Sequence, residues 1–132
     1  MSKNVESART NMARFNNGEM EAFLACIDPA CVWLSPKGSF IPGTFKGPQE
    51  ILQSFFMPLG EMFEMTVDAH SFTDAGDAVI IRGEYVATHR ATGRKAVVPM
   101  VQLATWVDGK LTRHEDFFDT GLVRDIVEAK GA

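Results

Sequence analysis

The sequence predicts an α+β domain in which helices cover one face of a curved antiparallel sheet. Apolar residues recur at helical spacing through the first half of the chain, and from Phe63 onward the apolar period becomes two. Gly-containing turns punctuate that second half at short intervals. Helices first and strands later is the order of an α+β layer, not of alternating βαβ units.

Val5, Ala8, Met12 and Phe15 predict a first helix that stops before Gly18, and Met20, Phe23, Leu24 and Ile27 a second that stops at Asp28-Pro29. Cys31-Val32-Trp33-Leu34 reads as a short strand ended by Ser35-Pro36-Lys37-Gly38, followed by a Gly/Pro-punctuated loop as far as Gly47. A third helix starts with Pro48 at a tolerated first position and shows Ile51, Leu52, Phe55 and Phe56 on its apolar side. Pro58 and Gly60 are predicted to end it. Four strands follow, joined by turns at Thr73 to Asp77, Ala91 to Gly93 and Asp108-Gly109. Such short turns require antiparallel neighbours, because parallel strands need crossovers of about a dozen residues. Gly121 to Ala129 is predicted as a short last helix, with Asp119 as a candidate cap.

The 132 residues suit one domain, spanning 1–132, with one core. A hydrophobic fraction of 45% and a charged fraction of 23% are those of an ordinary soluble globular protein. No apolar run is long enough to predict a membrane helix, and the first residues do not read as a leader, so the expected location is cytoplasmic. A net charge of -4 with no large basic cluster argues against a nucleic-acid partner. Cys26 and Cys31 lack Cys or His companions at zinc spacing and are expected as small reduced side chains. No Gly-rich phosphate loop, His/Cys metal cluster or serine nucleophile elbow is present, so the sequence predicts neither a nucleotide cofactor nor a metal.

The chemistry concentrates in Arg113-His114-Glu115-Asp116-Phe117-Phe118-Asp119-Thr120. Asp108-Gly109 is a strong two-residue hairpin signal that sets Val107 against Lys110. Counting back from it, Leu103 faces His114 and Val101 faces Asp116, so Val101, Leu103, His114, Asp116 and Phe118 share the drier face. Gln102, Ala104, Arg113 and Glu115 then share the other. A symmetric turn before that strand puts Arg82 opposite Val101, within reach of Asp116, and Glu84 shares the phase of Arg82. Pro99 is the weak step, since a bulge there would turn Arg82 away. Tyr85, Met100, Trp106 and Phe117 fall on the far face and suggest a homodimer interface. A carboxylate in an apolar pocket either rises in pKa or pairs with a cation, and Asp116 has candidates for both. The same residues also suit a structural ion-pair network.

Beyond these local readings, the chain resembles the nuclear-transport-factor-2-like superfamily, in particular its SnoaL-like and ketosteroid-isomerase-like members. The likeness lies in Phe15-Asn16-Asn17-Gly18-Glu19, in Val32 to Gly38, in Phe45 to Ile51 and in Trp106 to Leu111 leading to His114 and Asp116. It implies a cone-like sheet wrapped on the N-terminal helices. Ketosteroid isomerases carry an aspartate base where Ser35 stands, and their two oxyanion donors fall at Asn11 and Val101. Limonene-epoxide-hydrolase-like members resemble the chain better, with Arg-x-Asp at Arg82-Gly83-Glu84 and an aspartate base at Asp116. Where those enzymes hold water with tyrosine and asparagine, this chain has Trp33 and Ser35.

Residues and resemblance together suggest a cofactor-free enzyme acting on a small apolar molecule by general acid-base catalysis, of isomerase, cyclase or hydrolase type. Asp116 is the expected base or acid, with His114 as proton partner. Arg82 and Glu84 set its charge, and Trp33, Ser35, Val101, Leu103 and Phe118 line the site. The alternative is a non-catalytic module that binds a small ligand or serves an assembly.

Overall fold

The computed structural model describes residues 2–128, and Ala129, assigned above to the last helix, lies outside them. Helix α1, Lys3–Asn16, begins at Ser2, whose hydroxyl accepts a hydrogen bond from the Val5 amide at 3.1 Å. Val5, Ala8 and Asn11 form its buried stripe. Asn16 clasps the helix to the sheet, donating to the Val67 carbonyl and accepting from the Val67 amide, both at 2.8 Å. Helix α2, Met20–Ala25, ends two residues before the last position of its apolar spacing. Ile27, placed above at its end, instead opens β1, Ile27–Ser35. Pro29 is tolerated in this strand because Asp28 to Cys31 loop out between the paired positions Ile27 and Val32.

The predicted loop before Gly47 contains a further strand, β2, Gly43–Lys46, paired antiparallel with β1. The helix that follows is continuous through three segments, Gly47–Glu50, a π-helical Ile51–Phe56 and Met57–Met62. Pro58 and Gly60 therefore do not end it. Pro58 falls in the first turn after the π-helical segment, where a missing N–H costs little.

Strands β3, Phe63–Ala75, β4, Ala78–His89, β5, Lys95–Val107, and β6, Lys110–Phe118, form the expected antiparallel meander. The six-stranded sheet has the order β2-β1-β6-β5-β4-β3. One pair departs from antiparallel pairing: β1 runs parallel to β6, with Trp33 beside His114. Between β3 and β4, His70 is an extra residue, and a side chain on Gly83 would overlap the Asp68 carbonyl. Glycine there lets the two backbones close tightly next to the bulge.

The concave face of the sheet packs on the helices through Phe23, Trp33, Phe55 and Phe56, with Phe55 and Phe56 rings 5.0 Å apart and Trp33 and Phe56 5.2 Å apart. Edge-to-face pairs of this kind contribute about 0.5–1.5 kcal/mol each beyond their buried area. The last helix, Thr120–Glu128, is capped by Asp119, whose carboxylate accepts from the Leu122 amide at 3.3 Å. Its Ile126 packs with Phe63 and Ala87 in a smaller second cluster. Among the described residues no helix is long and apolar enough to cross a membrane.

Candidate functional site

The register of β5 against β6 decides which side chains meet. Val107 pairs with Lys110 and Trp106 with Leu111, as the Asp-Gly turn requires, but Thr105 then pairs with Arg113. Thr112 is the extra residue, and its hydroxyl donates to the Thr105 carbonyl at 3.3 Å. This bulge moves every later pair by one, so Ala104 faces His114 and Gln102 faces Asp116. The physical reason lies in the side chains. Trp106 and Leu111 must point inward, and without the bulge Arg113 and Glu115 would follow them into the core.

Two expectations are corrected by it. Val101 and Leu103 do not line the cavity, because they lie on the outer phase of β5, whereas Gln102 and Ala104 are buried on the inner one. Arg82 does pair with Val101, without a bulge at Pro99, but the row continues to Phe117 and not to Asp116. Arg82 is exposed on the outer face. Glu84 is also outside, where its carboxylate meets His70 Nε2 at 3.0 Å, with Asp68 at 3.4 Å from the same nitrogen. Of the residues assigned to a far-face interface, only Phe117 is exposed; Tyr85, Met100 and Trp106 are buried in the core.

What the fold does bring together is a cavity of about 100 Å³, whose described lining is apolar except for Asn11, Ser35, Ser39, Tyr85, Gln102, His114, Asp116 and the two indole N–H groups. Trp33, Ser35 and Phe118 line it with His114 and Asp116, as the sequence suggested. Among the described residues no Lys, Arg or Glu lines the cavity. Asp116 Oδ1 accepts a 2.7 Å hydrogen bond from the Tyr85 hydroxyl, which in turn accepts one of 2.6 Å from Gln102 Nε2. Burial raises the Asp116 carboxyl from 3.8 to about 7, although the Tyr85 hydroxyl and the Phe117 amide both favour its charged form. Burial, reinforced by the Asp116 charge, pushes the Tyr85 phenol well above its ordinary value, so it stays protonated.

His114 is packed, not poised. Its ring stacks on Trp33 with centroids 3.7 Å apart and 15° between planes, and desolvation lowers its pKa from 6.5 to about 3. It is a neutral imidazole at any ordinary pH. His114 Nε2, Trp33 Nε1, Trp106 Nε1 and Ser35 Oγ are buried without hydrogen-bond partners. Such groups carry a desolvation cost of about 1–3 kcal/mol each unless something pairs with them.

Tyr85 and Gln102 are the members sequence reasoning missed. The phase holding Arg82 and Glu84 is charged, while the phase of Val79, Ile81, Gly83, Tyr85 and Ala87 carries no charge, and that contrast was a readable sign of which side faces the core. Gln102 lies on a strand whose two phases are both largely apolar, and the bulge on β6 is what brings its phase beside His114 and Asp116. Both cysteines are free; Cys31 is buried with its thiol pushed up to about 11, and Cys26 accepts from Arg14 Nη1 at 2.9 Å.

Comparison with known proteins places this architecture. Residues 8–114 match the family model of the SnoaL-like domain. An NTF2-like protein from Burkholderia thailandensis is 30% identical, with 96% of this chain and 98% of that one covered and a TM-score of 0.89. TerC, co-crystallised with polyporic acid, is 28% identical over 97% of this chain and 100% of its own, with a TM-score of 0.87. A candidate SnoaL-like polyketide cyclase from Shewanella putrefaciens, 14% identical, shares the fold at a TM-score of 0.80 over 98% of this chain and 99% of that one. No curated protein matches the sequence. With most of its length inside the family model and the same helices and sheet, the chain belongs to the SnoaL-like family of the NTF2-like superfamily.

Proposed function

We propose that the protein is a single-domain, cofactor-free acid-base enzyme that isomerises or cyclises a small, largely apolar molecule. The observation that carries this reading is the Asp116 carboxyl, buried in an apolar cavity, near pKa 7, with no cation among the described lining residues. A carboxylate so placed is a far stronger base than one in water and remains about half ionised at neutral pH. It takes a proton from carbon next to a carbonyl, and the carbonyl oxygen gathers the electron pair. The same proton then returns to another carbon, giving an isomer, or to the oxygen formed when the enolate attacks a second carbonyl, giving a ring. No co-reactant is consumed.

Trp33 Nε1 is a donor only and Ser35 Oγ can donate, so both suit a substrate oxygen. His114 serves as a neutral wall and donor, not as the proton partner. The SnoaL-like family membership and TerC's co-crystallisation with polyporic acid support a small organic substrate. The test is deuterium exchange at carbon in D₂O, followed by proton NMR over a panel of one- to three-ring enolisable ketones. At least one should exchange with the parent protein and none with Asp116→Asn; exchange that survives the substitution defeats the proposal.

A non-catalytic ligand-binding module is the second reading, favoured by a lining in which seven phenylalanines are the largest apolar group. It requires ligand affinity to stay within a few-fold in Asp116→Asn without any exchange in either form. Under both readings we place the protein in the cytoplasm, as a homodimer through the outer sheet face that exposes Val86, Val97 and Phe117.

A further inference from the structure

We propose that Gln102 and Tyr85 form a reversible hydrogen-bond relay whose direction turns over with the protonation of Asp116, so that one carboxyl serves first as base and then as acid. This rests on the reading of Asp116 as the acid-base group. The geometry consists of two short buried contacts in series, Gln102 Nε2 to Tyr85 OH at 2.6 Å and Tyr85 OH to Asp116 Oδ1 at 2.7 Å.

A phenol offers one proton and accepts another. With Asp116 ionised, the amide N–H of Gln102 donates to Tyr85 and Tyr85 donates to the carboxylate. When Asp116 takes a proton, its O–H has the Tyr85 oxygen 2.7 Å away. Donation into that oxygen displaces the amide N–H and frees the phenol proton. A half-turn of the Gln102 side-chain amide then presents its carbonyl oxygen to receive it. Both charge states are fully bonded, and Tyr85 never ionises. An Asn would be too short, and a carboxylate at position 102 would serve only one of the two states.

Among the described residues nothing else that lines the cavity competes for this role. Among lining residues, Tyr85 from β4 and His114 from β6 are the titratable neighbours, while α1 contributes Asn11, Met12 and Phe15, β1 contributes Trp33 and Ser35, and the π-interrupted helix contributes Phe55, Phe56 and Leu59. His114 is neutral throughout the range.

The test uses the full chain, isotopically labelled and free of ligand, with NMR following the Asp116 carboxyl carbon and the Gln102 side-chain amide across pH. In the parent protein both signals should move with one midpoint. In Tyr85→Phe the Asp116 midpoint should rise and the Gln102 signals should no longer follow it. Gln102→Leu should leave the Asp116 midpoint near that of the parent, because each charge state loses one bond; a fixed one-way chain would instead raise it. Gln102 signals that stay flat through the Asp116 titration, or a raised midpoint in Gln102→Leu, overturn the relay. Gln102→Leu decides alone if Tyr85→Phe does not fold. Since this readout needs no substrate, its failure leaves the exchange experiment standing, and failure of the exchange experiment leaves this one standing.

Discussion

Gln102 and Asp116 sit directly opposite each other on β5 and β6, and the Tyr85 hydroxyl bridges them from β4. Three strands thus supply one polar row in a cavity that is otherwise almost entirely apolar.

Asp116 and His114 act on stability with opposite sign. Asp116 is raised from 3.8 to about 7 in the folded state, so its contribution is fully present below pH 3.8 and is lost as pH rises through 7. His114 is lowered from 6.5 to about 3, so its contribution is present above pH 6.5 and lost as pH falls toward 3. Between about pH 4 and 6.5 the two slopes largely cancel. Urea unfolding should therefore show a flat parent protein there, rising stability with pH in Asp116→Asn and falling stability in His114→Phe. Above pH 7, Asp116→Asn should be more stable than the parent by up to on the order of 4 kcal/mol. A less stable Asp116→Asn at pH 8 would contradict the buried, unpaired carboxylate.

Deleting Thr112 removes the extra residue but keeps the pairs beyond it, Thr105 with Arg113, Ala104 with His114 and Gln102 with Asp116. His114 and Asp116 then still face the cavity and Arg113 and Glu115 still face outward, so the variant loses only the local bulge. Thermal melts followed by circular dichroism should keep a cooperative transition; loss of that transition would mean that the bulge itself, and not only the register beyond it, is required.

Arg82→Ala should leave the Asp116 titration unchanged and alter stability by no more than about 0.5 kcal/mol, as for a surface change. This separates the outer face from the cavity. If the Asp116 midpoint rises clearly in this variant, the guanidinium reaches the site after all.

Phe117→Asp together with Val97→Asp places two charges on the outer sheet face, where both side chains are about half exposed, 46% and 54% respectively. Sedimentation equilibrium should show a folded monomer in place of the proposed dimer. A parent protein that is monomeric at every accessible concentration would refute the interface.

Much of the fold was legible because long stretches obey one period. The Val5 to Phe15 stripe, the change of period at Phe63 and the Asp108-Gly109 turn each point to a single structure. The candidate site was legible in part: His114, Asp116, Phe118, Trp33 and Ser35 do converge, and they were found from phase and resemblance. What failed was arithmetic carried across an irregularity. A bulge at Thr112 has no strong local signature, since threonine is an ordinary strand residue, yet one inserted position exchanges Val101 and Leu103 for Gln102 and Ala104. The π-helical segment misled for a similar reason, because Pro58 was judged against an α-helical ladder that is not there. β2 escaped notice as a short edge strand rich in glycine-bounded turns.

The parallel pairing of β1 with β6 has a consequence for when the site comes into being. Trp33 and His114 stack across it, yet they lie in the first and last thirds of the sequence. A contact of such high sequence separation pays its loop-closure entropy late, after the β3-β4 and β4-β5 hairpins have formed from near neighbours. During synthesis the wall that carries Asp116 leaves the ribosome after nearly everything it must pack on. The cavity is thus expected to close at the end of folding, and chains shortened before β6 would own the helices and most of the sheet without the proposed reaction chamber.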